Sequence, residues 1–380
     1  MSERNPYPEA ARPAESRAPI PATLRAVIDD VRRRRPLPSD DELGDFHAWV
    51  RAQPKVETHV HLEAACGAAV FTHGHRPPTW AQGAPWERAP FADLRAFIGA
   101  WVDLTRAVRE LSLFEAMAEA FVAERHAENI VYTEAYCSPS DFSFIRERFR
   151  IAPEVFAFDE VLRAYVRGLR RGLARYPGID VRLIVDGLWP SLPDEHRIVR
   201  DALTRAREDA AFFDADGRPY VIGVGLGGAE THHLLDERAA FLEELRGIGY
   251  ALDIHSGEGT DAALHAGTLD RLRPDRVAHG FAGFDQNIVF TQNLVSCPVS
   301  NLLLGTFPGK PETHPIFAWL DQGVPVAIGS DDPLLLGHSL SWEYAFIHAL
   351  RGHGETDFHT LTRDARRGAL APGVSGRGTG

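Results

Sequence analysis

With 380 residues and 44% hydrophobic content, the chain is long enough for one large domain, since α/β barrels often exceed about 200 residues undivided. Its formal net charge of −12 argues against a nucleic-acid backbone as partner, because binding phosphates requires a basic face. No apolar run is long enough to span a membrane. Three scattered cysteines, Cys66, Cys137 and Cys297, form no CxxC; this favours a reducing compartment, with the cytoplasm expected, and gives no sign of a thiolate metal site.

Residues 1–21 are rich in Pro, Ala, Arg and Glu and show no apolar period, so a disordered arm is expected. Residues 22–54 predict two short helices packed on the main domain. ATLRAVIDDVRRRR places Leu24, Val27, Ile28 and Val31 at helical spacing with cations at its end, where the helix dipole favours them. The arginine run Arg32–Arg35 leads into PLPSDDELGD rather than an apolar segment, so it is not the start of a signal peptide. DDELGDFHAWVRAQ predicts the second helix.

From 55 to 370, short apolar runs alternate with longer helical patterns. The predicted strands are KVETHVHL, NIVYTEAYC, DVRLIVDG, YVIGVGL, YALDIHS, DRVAHG, NLVSCP and VPVAIGSDD. Most are separated by helical patterns, the longest running unbroken from FADLRAF to AFVAERH. This alternation predicts a (β/α)8 TIM-type barrel, although an open doubly wound sheet would show it too. The last residues, 371–380, are expected to form a flexible tail.

The positions of the polar residues favour the barrel. Strand one ends at His59 and His61, strand five at His255 with Glu258 close behind, strand six at His279, and strand eight at Asp331 and Asp332; strand four ends in Gly227 and Gly228. Catalytic residues of such barrels gather at the C-terminal ends of the strands, so these would converge on one mouth. His59, His61, His255 and Asp331 make a nitrogen and oxygen donor set that suits zinc. A water on that ion would have its pKa lowered to about 7. His279 and Asp332 could orient or deprotonate the water, and Glu258 could supply a proton as general acid. Each element has a plainer counterpart: Asp331 and Asp332 could cap a helix near Leu340, and Glu258 could face a helix dipole. The HGH at His73 and His75 reads as a solvated loop, and His232 and His233 as a helix start.

Taken in order, KVETHVHLEA, HSGEGT, RVAHG, SCPVSNLLLG and AIGSDDP resemble the elements of the metal-dependent adenosine deaminase family, from about Lys55 to Leu350. The resemblance implies one zinc per chain on His59, His61, His255 and Asp331. It also implies that Glu258 protonates the purine ring nitrogen and that His279 activates the water. Asp332 would hold the five-membered ring's nitrogen, and the Gly228 backbone another ring nitrogen. Phe97, Ile98 and Trp101 line up with the family's apolar helix over the substrate, though a core face would show the same spacing. The expected activity is hydrolytic release of ammonia from a 6-aminopurine. The chain departs from the family where Ala64 stands for the usual glycine, where Ala229 replaces a polar residue in LGGAE, and where the longer Glu63 replaces an aspartate that contacts ribose. These changes bear on the sugar side of the substrate.

Other assignments fit single stretches of the sequence. GVGLGG is a formal GxGxxG, which would point to a nicotinamide cofactor. A barrel hydrolase with two metals needs a bridging lysine, yet Lys55 and Lys310 are the only lysines and neither is predicted at a strand end facing the mouth. Another mononuclear hydrolase of the same barrel, or a barrel retained only for binding, would share the fold.

Overall fold

The computed structural model describes residues 18–72, 80, 83–186, 192–231, 235–286 and 293–371. Eight parallel strands lie in the order of the sequence: β1 (Lys55–Glu57), β2 (Ile130–Cys137), β3 (Asp180–Asp186), β4 (Val221–Leu226), β5 (Ala251–Ser256), β6 (Arg276–His279), β7 (Asn293–Ser296) and β8 (Val326–Ile328). The two edge strands are brought together just past their ends by a parallel bridge between Val60 and Asp331. There the His61 N–H donates to the Asp331 carbonyl at 2.8 Å. The expected (β/α)8 barrel is therefore the observed fold, and an open doubly wound sheet is excluded.

Two packed layers follow from the strand pattern. Val56, Tyr132, Tyr136, Ile184, Ile222, Val295 and Ala327 cluster together, alternate residues of neighbouring strands filling the barrel as such interiors require. The opposite strand faces pack against the surrounding helices in a larger cluster. Among the described residues no helix is long and apolar enough to cross a membrane.

Both N-terminal helices form, at Ala22–Arg32 and Asp40–Ala52. The second begins with a capping box in which Ser39 Oγ accepts the Glu42 N–H and Glu42 receives the Ser39 N–H, satisfying two end donors. Ile20, within the stretch expected as an arm, is buried. At the other end, the Leu370 and Ala371 N–H groups donate to Glu134 Oε1, so the boundary at 370 falls within ordered chain. Residues 1–17 and 372–380, and the histidines His73, His75, His232 and His233, lie outside the described residues.

The long helical pattern divides into Leu94–Arg106 and Leu111–Ala127. At the break, buried Arg146 donates to the Thr105 and Val108 carbonyls, a contact from far along the chain at the helix end, where the Thr105 carbonyl also accepts the Val108 N–H at 3.1 Å.

Candidate active site

Regular pairing in β1 stops at Glu57, sooner than KVETHVHL predicts, and the residues after it are held by buried polar groups. Glu57 forms a buried ion pair with Arg125 and accepts hydrogen bonds from Ser330 N and Oγ at 3.1 and 2.5 Å. One carboxylate thus ties the end of β1 to the turn carrying Asp331. Neither Glu57 nor Arg125 stood out in the sequence, since nothing local marks a charge as buried.

Beyond this tie, four side chains converge. His59 Nε2 and His61 Nε2 lie 3.2 and 3.4 Å from Asp331 Oδ1, and His61 Nε2 lies 3.2 Å from His255 Nε2. One donor atom from each of the four residues falls within 4.8 Å of the others, all buried. Asp331 Oδ2 accepts from Ser300 Oγ at 2.6 Å, which fixes the carboxylate, and Tyr136 stacks on the His61 ring at 5.0 Å.

Electrostatics at this point favour a cation. Burial lowers His59 to about 3 and, with the neighbouring imidazoles, holds His255 well below its usual range. Both rings are therefore neutral nitrogen donors. Burial opposes protonation of His61 too, but Asp332 and Asp331 outweigh it and raise the ring to about 10. A carboxylate and three converging imidazoles, in surroundings that favour positive charge, fit a zinc ion.

A second group adjoins the first. His279 ends β6 in the left-handed region at φ 68°, which non-glycine residues adopt rarely. Its Nε2 is 3.4 Å from Glu258 Oε2, and Asn301 Nδ2 lies 3.1 Å from its Nδ1. The same Asn301 amide donates to Glu258 Oε1 at 3.0 Å, and Thr306 Oγ1 does so at 3.2 Å. Glu230 accepts the Glu258 N–H at 2.8 Å. Burial, the largest influence, raises Glu258 above the usual carboxylate range. Asn301 and Glu230 stand in SCPVSN and LGGAE, but nothing local in either stretch marks them as partners of Glu258. Cys297 has a donor atom within 4.8 Å of those of His279 and Asp331, so a sulfur does approach the site. Burial raises its thiol well above the ordinary range, leaving it a poor ligand without a bound ion.

A cavity of about 490 Å³ opens over both groups and is lined by His61, His255, Glu258, Asp331 and Asp332. This volume is ordinary for a small-molecule site, about 300–1,000 Å³. The helix Leu94–Arg106 forms one wall through Phe97, Ile98 and Trp101, and Gly228 and Ala229 form another. Asp332 Oδ1 is buried without a hydrogen-bond partner among the described residues.

Glu63 lies elsewhere. It is buried and is not among the lining residues; its Oε1 accepts from Ser138 N at 2.8 Å and Tyr165 OH at 2.6 Å. Ala64 is likewise buried away from the cavity. Of the departures from the family pattern, Ala229 is the one that faces it. Two carboxylates that drew no notice in the sequence, Asp141 and Asp186, do line the cavity. Burial pushes Asp141 up to about 7 and Asp186 to about 6.

The glycines of GVGLGG have packing reasons. A Cβ on Gly225 would sit 2.3 Å from the Tyr136 ring, and one on Gly227 2.5 Å from Asp186 Oδ2. The strand carries small residues because the barrel interior is filled from the neighbouring strands, not because a dinucleotide approaches. The two lysines are also accounted for: Lys55 Nζ is buried against the Val50 and Gln53 carbonyls, and neither Lys55 nor Lys310 lines the cavity.

A family model described as adenosine deaminase matches residues 54–377. The chain belongs to the adenosine deaminase family. It is accordingly a hydrolase of the aminohydrolase type. Similar proteins include the adenine deaminase of Rhizobium johnstonii, 28% identical over 327 residues, covering 83% of this chain and 94% of the relative. The adenine deaminase of Chelativorans sp. is 29% identical over 336 residues, covering 83% and 93%. Among solved structures, the adenine deaminase of Arthrobacter aurescens superposes with TM-score 0.69 at 20% identity, covering 86% of this chain and 98% of that one. A zinc-bound amidohydrolase from Burkholderia ambifaria gives 0.69 at 21% identity, covering 86% and 88%. The structures share the fold of this deaminase family member, and the family match covers each of the five stretches that carry the resemblance.

Proposed function

We propose that the chain is a zinc-dependent aminohydrolase that removes the exocyclic amine of a 6-aminopurine base or nucleoside as ammonia. The observation that carries this is the convergence of His59, His61, His255 and Asp331, donor atoms within 4.8 Å, beside the Glu258–Asn301–His279 group, with His61, His255, Asp331 and Glu258 lining one cavity. The names of the relatives, adenine deaminases, and the zinc in one solved structure of the same fold support it.

His59, His61, His255 and Asp331 would hold one zinc. When bound, the ion supplies Lewis acidity and water activation near neutral pH. Glu258 serves as general acid toward a ring nitrogen. Asn301 and Thr306 fix its Oε1, and burial keeps its proton on into the range where an acid is useful. With the Asn301 amide donating to His279 Nδ1, the ring proton sits on Nε2, so His279 acts by orienting the attacking water and the charge that develops on it. Asp332, with a buried oxygen unpartnered among the described residues, receives a donor from the five-membered ring. The Gly228 backbone meets another ring nitrogen, while Phe97, Ile98 and Trp101 cover the base and exclude bulk water.

The test is ammonia release, with ultraviolet absorbance, from adenine, adenosine and 2′-deoxyadenosine by zinc-loaded protein. Replacing Glu258 by Gln is expected to lower turnover about a hundredfold or more, the scale of a positioned acid, with bound zinc retained. Near-normal turnover in that variant would refute the role of Glu258, and no ammonia from any aminopurine would overturn the function.

A further inference from the structure

A histidine outside the cavity touches the Glu258–Asn301–His279 group from behind. His314 immediately precedes the helix Pro315–Gln322, is buried and is not among the lining residues. Its ring packs against Phe307 at 4.9 Å and Phe281 at 6.1 Å. Its Nε2 lies 3.3 Å from Asn301 Oδ1, and its Nδ1 accepts the Ile316 N–H at 3.2 Å.

These contacts leave one arrangement of protons. A backbone N–H can only donate, so His314 Nδ1 carries no hydrogen. Burial lowers the ring to about 3, so it is neutral under working conditions and its single proton sits on Nε2. That N–H donates to Asn301 Oδ1. The Asn301 amide is thereby turned with Nδ2 toward Glu258 Oε1 at 3.0 Å and His279 Nδ1 at 3.1 Å, one hydrogen for each. A flipped amide would set its N–H groups against the His314 N–H and its oxygen against the Glu258 carboxylate. Buried polar groups left facing like groups are costly, so the ring excludes the flip.

We propose that His314 is a positioning residue of the reaction: it locks the Asn301 amide and, through it, the proton positions of both His279 and Glu258. Held this way, Asn301 keeps the His279 proton on Nε2. It also fills Glu258 Oε1 with a donor, so the proton that Glu258 delivers is carried on Oε2, the oxygen 3.4 Å from His279 Nε2. Without the His314 N–H the amide is free to turn over. Its oxygen then draws the His279 proton to Nδ1 or the Glu258 proton to Oε1, and the pair no longer presents its protons where the reaction uses them. This assignment rests on the aminopurine function proposed above.

Two substitutions separate this role from that of a helix cap. In His314→Asn the side-chain oxygen takes the place of Nδ1 and keeps the cap on Ile316, but no donor reaches Asn301. In His314→Gln the amide takes the place of Nε2 and keeps that donor, while the cap is lost. In zinc-loaded protein His314→Asn is expected to lower kcat about tenfold or more, with KM moving less than about threefold and bound zinc retained. His314→Gln is expected to hold kcat within about threefold while its denaturant midpoint falls. Nitrogen-15 NMR of histidine-labelled protein reads the tautomer directly, the His279 signal being assigned by its loss in His279→Ala. The Nε2–H form is expected in the unsubstituted protein and in His314→Gln, and an Nδ1–H population in His314→Asn. Unchanged kcat in His314→Asn, equal losses in the two variants, or an unchanged His279 tautomer in His314→Asn would each overturn the proposal and leave His314 a cap alone. Failure of the aminopurine function shows differently, as no ammonia from any aminopurine with the unsubstituted protein, and the tautomer still decides the role of His314.

Discussion

Glu63 illustrates how little a residue's position in a motif says about its task. It follows the two histidines directly, yet its carboxylate is buried and bound to Ser138 N and Tyr165 OH. Such a group braces the turn after the histidines, and Tyr165 is the part of that brace open to a clean test. Replacing Tyr165 by Phe removes one donor from a buried carboxylate, which should cost about 1–3 kcal/mol of stability. The measurement is the denaturant midpoint, with KM expected to move less than about threefold. A large rise in KM without loss of stability would mean that Glu63 acts on the substrate instead. The histidines themselves were legible because two imidazoles at period 2, with a third and a carboxylate near other strand ends, have few uses besides a metal. Asp141 and Asp186 were not legible, since an aspartate in a loop or at a strand end is ordinary until its burial is known.

At the scale of elements, β4 contributes by being small. Gly225 lets the Tyr136 ring into the barrel interior, where it stacks on His61 at 5.0 Å. Gly225→Ala would place a Cβ 2.3 Å from that ring, and overpacking of this kind costs about 1–3 kcal/mol. Because the displaced ring is the one holding His61, the variant is also expected to bind zinc more weakly, measured by chelator competition. An unchanged midpoint together with unchanged metal affinity would show that Tyr136 does not position the histidine. Helix boundaries tell the same story from the other side. The helical pattern predicted from the sequence runs through Ala107–Glu110, whereas the helix stops at Arg106, beside the buried Arg146 guanidinium that only the fold brings there.

The whole molecule depends on a buried charge cluster within the barrel. Arg276, itself fully buried, pairs with Glu134 and Asp253 and donates to the Gly368 carbonyl at 3.2 Å. Glu134 in turn receives the Leu370 and Ala371 N–H groups, so strands β2, β5 and β6 and the end of the last helix meet at one guanidinium. Arg276→Leu leaves two buried carboxylates uncompensated and should cost about 3–5 kcal/mol, read as a lowered unfolding free energy in denaturant. A loss under about 1 kcal/mol would show that the cluster contributes little. The sequence by itself determined the alternation of strand and helix and the residue types at the strand ends, which together favoured a barrel with a nitrogen and oxygen donor set at its mouth. Both are written in local pattern, because apolar period and strand-end position survive without knowledge of neighbours. Tertiary structure alone decided which carboxylates are buried, which are paired, and which face the cavity. Those outcomes depend on what lies across the barrel, as with Glu57 and Ser330 or Arg276 and Glu134, and no stretch of neighbouring residues encodes them.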